Sequence, residues 1–278
     1  MRTWLITGCS TGLGRALARA VLATGDQVVV TARDAAAVAD IADAHPDTAL
    51  AVALDVTDPA AVTAAVAAAQ DRFGTVDVLV NNAGYGYRSA VEEGDDADVR
   101  ALFDTHVHGP VALIKAVLPG MRAQRSGAIV NISSIGARIC PPGSGYYSAV
   151  KAALEALTGS LRKELTPLGI VAMAVEPGGF RTDFAGRSLT QSPVPIDDYA
   201  DTAGPRRKEN DRVHGTQAGD PDRAATAIIE VLGSGKKVPE LLVLGTDAFQ
   251  ALGAVLDAQA AELAQWRDVS TGTDYTAG

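Results

Sequence analysis

The feature that most constrains this chain is an alternation running almost from end to end. Short runs rich in Val, Ile and Leu are each followed by a longer Ala-rich stretch with helical spacing. Seven runs have strand character: Thr3 to Thr7, Gln27 to Thr31, Ala49 to Leu54, Val76 to Val80, Ala128 to Ile132, Ile170 to Val175 and Leu241 to Leu244. Between and after them, residues 13–24, 35–44, 59–73, 99–122, 147–166, 221–232 and 247–265 place Ala, Leu and Val at helical intervals. Asp58-Pro59 and Asp220-Pro221 read as helix starts, an acidic cap followed by proline where no N–H is needed. Repeated βα units of this kind predict an α/β fold: a doubly wound, parallel, seven-stranded sheet with helices on both faces.

The chain's 278 residues suit a single domain over 1–278, and its composition, 47% hydrophobic but only 5% aromatic, predicts a core of small aliphatic side chains. A net charge of −9 offers no electrostatic footprint for nucleic acid or an anionic membrane, so the expected partner is a small molecule. Cys9 and Cys140 have neither metal-ligand spacing nor a disulfide framework; both read as space-filling residues, and no metal is expected. The chain enters its first strand without a signal-peptide pattern, and no apolar run approaches the ~20 residues of a membrane span. A soluble cytoplasmic protein is the simplest expectation. Residues 186–219 break the rhythm: with Pro193, Pro195 and Pro205 and no apolar period, they are expected to form either a lid or an unstructured surface loop.

The first strand ends in Thr7-Gly8-Cys9-Ser10-Thr11-Gly12-Leu13-Gly14, and a helix follows at once. Glycines at a strand-to-helix turn let backbone approach a pyrophosphate, whose charge meets the helix N-terminus. The spacing Gly-x-x-x-Gly-x-Gly departs from the generic dinucleotide fingerprint and resembles the loop of the short-chain dehydrogenase/reductase family. Asp55-Val56, Asn81-Asn82-Ala83-Gly84 and Pro177-Gly178 match the same family after the third, fourth and sixth strands. The resemblance spans Thr3 to Thr182 by motif and implies a Rossmann-type domain that binds a nicotinamide dinucleotide.

By that resemblance, Gly8, Ser10, Thr11, Gly12, Leu13 and Gly14 form the phosphate loop, and Asp55 and Val56 sit by the adenine. Asn82, Ala83 and Gly84 border the adenosine ribose, and Phe180 and Thr182, just past Pro177-Gly178, approach the nicotinamide amide. Asn81 has an equally good structural role, its amide stabilising the strand exit. The second strand closes on Thr31-Ala32-Arg33-Asp34. Ala32 stands where an acid would bind the ribose hydroxyls of NAD, and a guanidinium at Arg33 suits the 2′-phosphate of NADP. NADP(H) is therefore preferred, with NAD(H) kept open by Asp34, one residue further on.

Tyr147 and Lys151 lie four residues apart at the start of a helix, which returns them to within about 40° on one face; Tyr146, five residues from the lysine, points elsewhere. A tyrosine hydroxyl ionises near ~10, so acid or base work at neutral pH needs a neighbouring cation, which Lys151 supplies. The resemblance adds that Lys151 also holds the nicotinamide ribose, that Ser134 hydrogen-bonds the substrate oxygen, and that Ser133 supports the loop. It implies hydride transfer between the nicotinamide and a carbonyl or alcohol substrate, and a homodimer or homotetramer.

One position departs from the family. Where members carry an asparagine whose backbone helps hold a relay water, this chain has His106 in Thr105-His106-Val107-His108-Gly109. Histidine either preserves the main-chain role, joins the relay through its ring, or is merely structural.

The stretches Tyr85-Gly86-Tyr87 and Ile139 to Pro142 are expected to flank the reaction centre as an apolar-to-aromatic pocket, and Arg206-Arg207-Lys208 either to meet an acidic substrate or, as is usual for adjacent cations in a loop, to be solvated. Phe249, Leu252, Val255 and Leu256 form an apolar stripe that closes the pocket, covers the sheet edge or meets another subunit. Two other readings stand beside the oxidoreductase: a cofactor-binding sensor without turnover, and an isomerase or dehydratase on the same scaffold.

Overall fold

The computed structural model describes residues 1–185, 188–213 and 215–275. Its strands are β1 (Thr3–Ile6), β2 (Gln27–Ala32), β3 (Ala49–Ala53), β4 (Val78–Asn81), β5 (Gly86–Arg88), β6 (Gly127–Ile132), β7 (Ile170–Pro177), β8 (Leu189–Gln191) and β9 (Leu241–Leu244). The α-helices are α1 (Gly12–Ala23), α2 (Ala39–Ala44), α3 (Pro59–Phe73), α4 (Asp96–Phe103), α5 (Gly109–Gln124), α6 (Gly136–Ile139), α7 (Gly145–Leu165), α8 (Gly204–Val213), α9 (Pro221–Gly233), α10 (Thr246–Gln265) and α11 (Arg267–Thr271).

Seven strands form one parallel sheet in the order β3-β2-β1-β4-β6-β7-β9. The chain winds outward from β1 to β3, then returns to place β4 on the other side of β1. The loops leaving β1 and β4 therefore diverge at a topological switch point, where such sheets open a crevice for ligands. All seven strands read from the sequence are in this sheet.

Period-two alternation divides the core. Trp4, Ile6, Val28, Val30, Val78 and Val80 face Leu17 and Val21 of α1 and Ala225 and Ile228 of α9. Leu5, Val29, Leu79 and Ile129 face Val62 and Val66 of α3 and Leu113 and Val117 of α5. Each side chain of this size taken out of water contributes ~1.5–3 kcal/mol, and small alanine faces bring the helices close enough to exclude it.

Two expectations need correction. The stretch 99–122 is not one α-helix: α4 and α5 are joined by a π-helical turn, Asp104–His108. Nor are residues 186–219 without regular structure, although residues 186, 187 and 214 fall outside the described ones. β8 pairs with β5 in a separate two-stranded sheet, a 3-10 turn covers Asp197–Tyr199, and α8 follows. Polar anchors replace the missing apolar period. Glu93, buried beneath the segment, accepts from the N–H of Ala90 at 2.7 Å and of Ile196 at 2.8 Å, and pairs with Arg207 at 2.5 Å. Burial alone would raise this carboxyl, but the N–H of Ile196, then Arg207 and Ala90, outweigh it and hold Glu93 below its ordinary value.

Cys9 is buried and its thiol is pushed up to about 12 by burial, as befits a packing residue, whereas Cys140 is exposed. Along α10, Phe249 is 72% and Leu256 54% exposed, while Leu252 and Val255 are half-buried. No helix among the described residues is long and apolar enough to cross a membrane.

Candidate active site

A cleft of about 930 Å³ runs from the glycine loop to the start of α7. At one end Gly8 (φ +72°) and Gly12 (φ +58°) take the left-handed backbone that favours glycine. A Cβ on Gly8 would approach Ala83 Cα to 2.9 Å, and one on Gly14 would overlap the Gly8 carbonyl and the Asn82 amide. Gly14 thus lets α1 pack against the loop, while Gly8, Ser10, Thr11, Gly12 and Leu13 line the cleft.

The loop is tied to the end of β4. Thr7 Oγ1 accepts from the N–H of Asn82 and of Ala83, each at 2.9 Å, and Asn82 Nδ2 donates to the carbonyls of Thr7 at 2.8 Å and Gly8 at 3.1 Å. Asn81 is spent inside the sheet, donating to Asn131 Oδ1 at 2.8 Å. No side chain caps α1 and no acid lies in its first turn, so its N-terminal N–H groups suit a phosphate.

At the end of β2, Ala32 is the last strand residue and Arg33 lines the cleft. The Asp34 carboxylate instead turns back to accept from Ala36 N at 2.9 Å, starting a 3-10 turn. Asp55 lies on the same wall. The Thr57 hydroxyl first, then the Thr57 N–H and the nearby Arg33, keep its carboxyl below the usual range. Val56, Asn82, Ala83, Gly84, Pro177, Gly178, Phe180 and Thr182 complete the lining toward the other end.

There α7 brings Tyr147 and Lys151 together, the lysine Nζ 5.7 Å from the tyrosine ring centroid and donating to the Ile132 carbonyl at 2.8 Å. Contrary to the expectation from their spacing, Lys151 is not what lowers Tyr147: burial pushes the hydroxyl up to about 12, against Ser134 and the charges of Arg88 and Arg206. Burial also draws Lys151 down to about 8, with Glu155 opposing. Tyr147 is thus protonated at neutral pH and set to act as an acid toward an oxygen placed beside Ser134. Ser133 points away, its hydroxyl bonded to the Glu155 carboxylate. Tyr146 is turned outward and donates to the Val91 carbonyl at 2.7 Å.

His106 is buried off the cleft wall, its ring edge-on to Tyr147 at 5.9 Å between centroids and its Nε2 2.8 Å from the Tyr85 carbonyl oxygen. Burial and the Lys151 charge hold it well below its ordinary value, so the ring is neutral. Gly84 is what admits it, since a Cβ there would overlap the imidazole. The backbone is more telling. Pro110 has no N–H, so the His106 carbonyl loses the donor that an α-helix would supply, within a π turn of the kind that recurs at functional sites.

The structure corrects the substrate side. Tyr85, Ile139 and Pro141 line the cleft, but Tyr87 is buried, its hydroxyl accepting from Asp95 N at 3.1 Å. Of the three cations expected to be solvated, Arg206 lines the cleft, Arg207 pairs with Glu93, and only Lys208 is exposed. Sequence reasoning missed Arg88 and Phe184, whose ring lies 5.7 Å from that of Tyr147. Neither carries a motif: Arg88 ends β5, which pairs with β8, and Phe184 lies in the short 3-10 turn Asp183–Ala185.

A family model described as short chain dehydrogenase matches residues 2–192. An oxidoreductase of Botryotinia fuckeliana, BOA17, is 37% identical over 270 residues, covering 97% of this chain and 98% of its own. The crystal structure of a short-chain dehydrogenase from Streptomyces avermitilis superposes with a TM-score of 0.91 at 45% identity, over 99% of this chain and 100% of the other. A 3-ketoacyl-(acyl-carrier-protein) reductase from Brucella melitensis, solved with NADH, superposes with a TM-score of 0.73 at 27% identity, over 87% and 96%.

Proposed function

Since the chain belongs to the short-chain dehydrogenase family of oxidoreductases, we propose that it moves a hydride between NADP(H) and a carbonyl or secondary alcohol, with Tyr147 as general acid and base. The observation that carries this reading is the meeting of Tyr147, Ser134 and Lys151 at one end of a cleft whose other end is a glycine phosphate loop. The Brucella reductase, solved with NADH, supports a nicotinamide cofactor.

The cradle fits such a group: Gly8 and Gly12 open the backbone, α1 offers N–H groups to the pyrophosphate, and Arg33 faces the adenosine side. When bound, the nicotinamide supplies or accepts the hydride. Ser134 orients the substrate oxygen, Tyr147 gives it a proton in reduction and takes one back in oxidation, and the charges of Arg88 and Arg206 favour the tyrosinate between these events, with Lys151 beside the ring to pass the proton on. The segment from Ser188 to Val213, which brings Ser188, Thr190 and Arg206 to the cleft, serves as the substrate lid.

The proton beyond Lys151 passes to a water that the His106 carbonyl would help to hold, the role that the family gives to the backbone at this position. His106→Asn should then keep turnover within about tenfold at unchanged cofactor affinity, because the role belongs to the main-chain carbonyl and not to the ring. A collapse of turnover at unchanged affinity would count against this route. The exposed stripe of Phe249, Leu256, Leu263 and Trp266 on and after α10 serves as a subunit interface, which sedimentation would register as a dimer or tetramer.

Oxidation of NADPH or NADH by the purified protein, across a panel of aldehydes and ketones, tests the whole reading. Tight cofactor binding with no turnover would instead mark a sensor, and product without net change in the nicotinamide an isomerase or dehydratase.

A further inference from the structure

We infer that Glu155 and Glu176 share one proton, and that the shared proton clamps the loop carrying Ser134; the bearing of this clamp on turnover rests on the oxidoreductase reading, the clamp itself does not. Both carboxyls lie behind the cleft wall rather than on it. Glu176 is 0% exposed, and the side chain of Glu155 8%.

One guanidinium serves both. Arg138 of α6 reaches Glu176 Oε1 with its Nε at 2.8 Å and Glu155 Oε2 with its Nη2 at 2.8 Å. That edge of a guanidinium ordinarily takes the two oxygens of a single carboxylate, so here it draws two carboxyls together. Two anions held so close do not both stay ionised. Glu176 Oε2 is buried, and no donor faces it. A proton placed on that atom gives it a bond to Glu155 and leaves the other bonds of the pair in place, because a carboxyl oxygen has two lone pairs.

The surroundings do not supply a second counter-charge. Among the described residues, no cation other than Arg138 pairs with either carboxylate. Lys151, one turn back along α7, feels the charge of Glu155 but commits its Nζ to the Ile132 carbonyl. Arg162, further along the same helix, is bound to the carbonyls of Ala172, Val238 and Pro239. Glu240, ahead of β9, adds negative charge on the Arg138 side, and Asp247 of α10 accepts from Gly179 N. Burial first, and then Glu176, push the Glu155 carboxyl up to about 7, against the Ser133 hydroxyl and Arg138.

Ser134 sits between two tethers that end on this pair. Ser133, just before it, donates its hydroxyl to Glu155, and Arg138, just after it, holds both carboxyls. The loop also lies on β7: Ser133 N donates to the Val175 carbonyl at 2.7 Å and Ile135 N to the Pro177 carbonyl at 3.1 Å, with Glu176 between those acceptors. Loss of the proton sets two anions against one guanidinium and loosens both tethers. Glu155 and Glu176 are thus positioning residues for Ser134.

Infrared spectra of the native protein, Glu155→Gln and Glu176→Gln test the proton. A carboxylic-acid C=O band should be present in the native protein below a pH of about 7 and vanish above it. It should be missing from both variants, since each leaves the remaining carboxylate ionised on Arg138. No titrating band in the native protein, or a band that survives in either variant, overturns the proposal. The native titration decides even where a variant misfolds.

Amide hydrogen exchange tests the clamp. Above a pH of about 7, residues 133–138 of the native protein should exchange about tenfold faster than in Glu155→Gln, with the two alike below it. Exchange in step with the variant throughout overturns the clamp. With a carbonyl substrate, the alkaline limb of native kcat/KM should fall more steeply than tenfold per pH unit, since the pair at about 7 and Lys151 at about 8 both lose protons. Glu155→Gln should fall about tenfold per unit, and equal slopes overturn the positioning role. If no carbonyl is turned over while band and exchange behave as expected, the clamp stands and the oxidoreductase reading falls. If turnover occurs while band or exchange fails, the reverse holds.

Discussion

Replacing Tyr147 with phenylalanine is expected to lower turnover by about 10²–10⁴-fold while the cofactor dissociation constant stays within about twofold. Phenylalanine preserves the ring, and the ring makes the packing contacts: edge-on to His106 at 5.9 Å and tilted against Phe184 at 5.7 Å. What disappears is the hydroxyl, which faces the substrate side of the cleft together with Ser134. Nothing nearby replaces it. Lys151 has its Nζ committed to the Ile132 carbonyl, and the His106 ring is held on Tyr85. Single-turnover NADPH oxidation, with cofactor binding measured in parallel, separates lost chemistry from lost fold. Turnover within about tenfold of the native protein would remove Tyr147 from the acid–base role.

How far this site was legible in the sequence depends on the range of the interactions that build it. The alternation of Leu5 with Trp4 and Ile6 already assigns two faces to β1, because side chains in a strand alternate whatever lies around them. The relation of Tyr147 to Lys151 was equally local, four residues on one helix, and the structure places Tyr147 beside Lys151 and Tyr146 on the Val91 carbonyl. The glycine loop was legible because Gly8 and Gly12 answer to backbone angles.

Where the fold depends on partners distant in sequence, the reading failed. Arg206, Arg207 and Lys208 look alike in a polar stretch, yet one lines the cleft, one pairs with Glu93 and one is exposed. Glu93, more than a hundred residues upstream, decides between them. The β5–β8 strands are three residues each, too short to show a period. The π turn at His106 was hidden for a different reason: its spacing continues that of the flanking helices, and only Pro110, which has no N–H to give, signals the change.

Removing the guanidinium in Arg33→Ala should weaken NADPH binding by about 10–100-fold and reduce the NADPH-to-NADH preference by a similar factor, the range for losing charge-assisted hydrogen bonds to a phosphate. The argument turns on which way Asp34 faces. Had its carboxylate pointed into the cleft, it would have bound the adenosine ribose hydroxyls and repelled a 2′-phosphate. Its hydrogen bond to Ala36 N directs it instead into the following turn, and Ala32, where NAD-dependent relatives carry an acid, offers only a methyl group.

Asp55 remains the nearby anion, linked electrostatically to Arg33 and held by Thr57, so the phosphate must compete with it for the same guanidinium. That competition, and the exposure of Arg33, make the effect dependent on ionic strength: the NADPH penalty should shrink as salt is raised, while NADH binding, without the extra phosphate, should respond less. Titration of both cofactors at low and high salt checks each part. A variant that loses NADH and NADPH affinity alike would place Arg33 in general support of the cleft rather than in the choice between them.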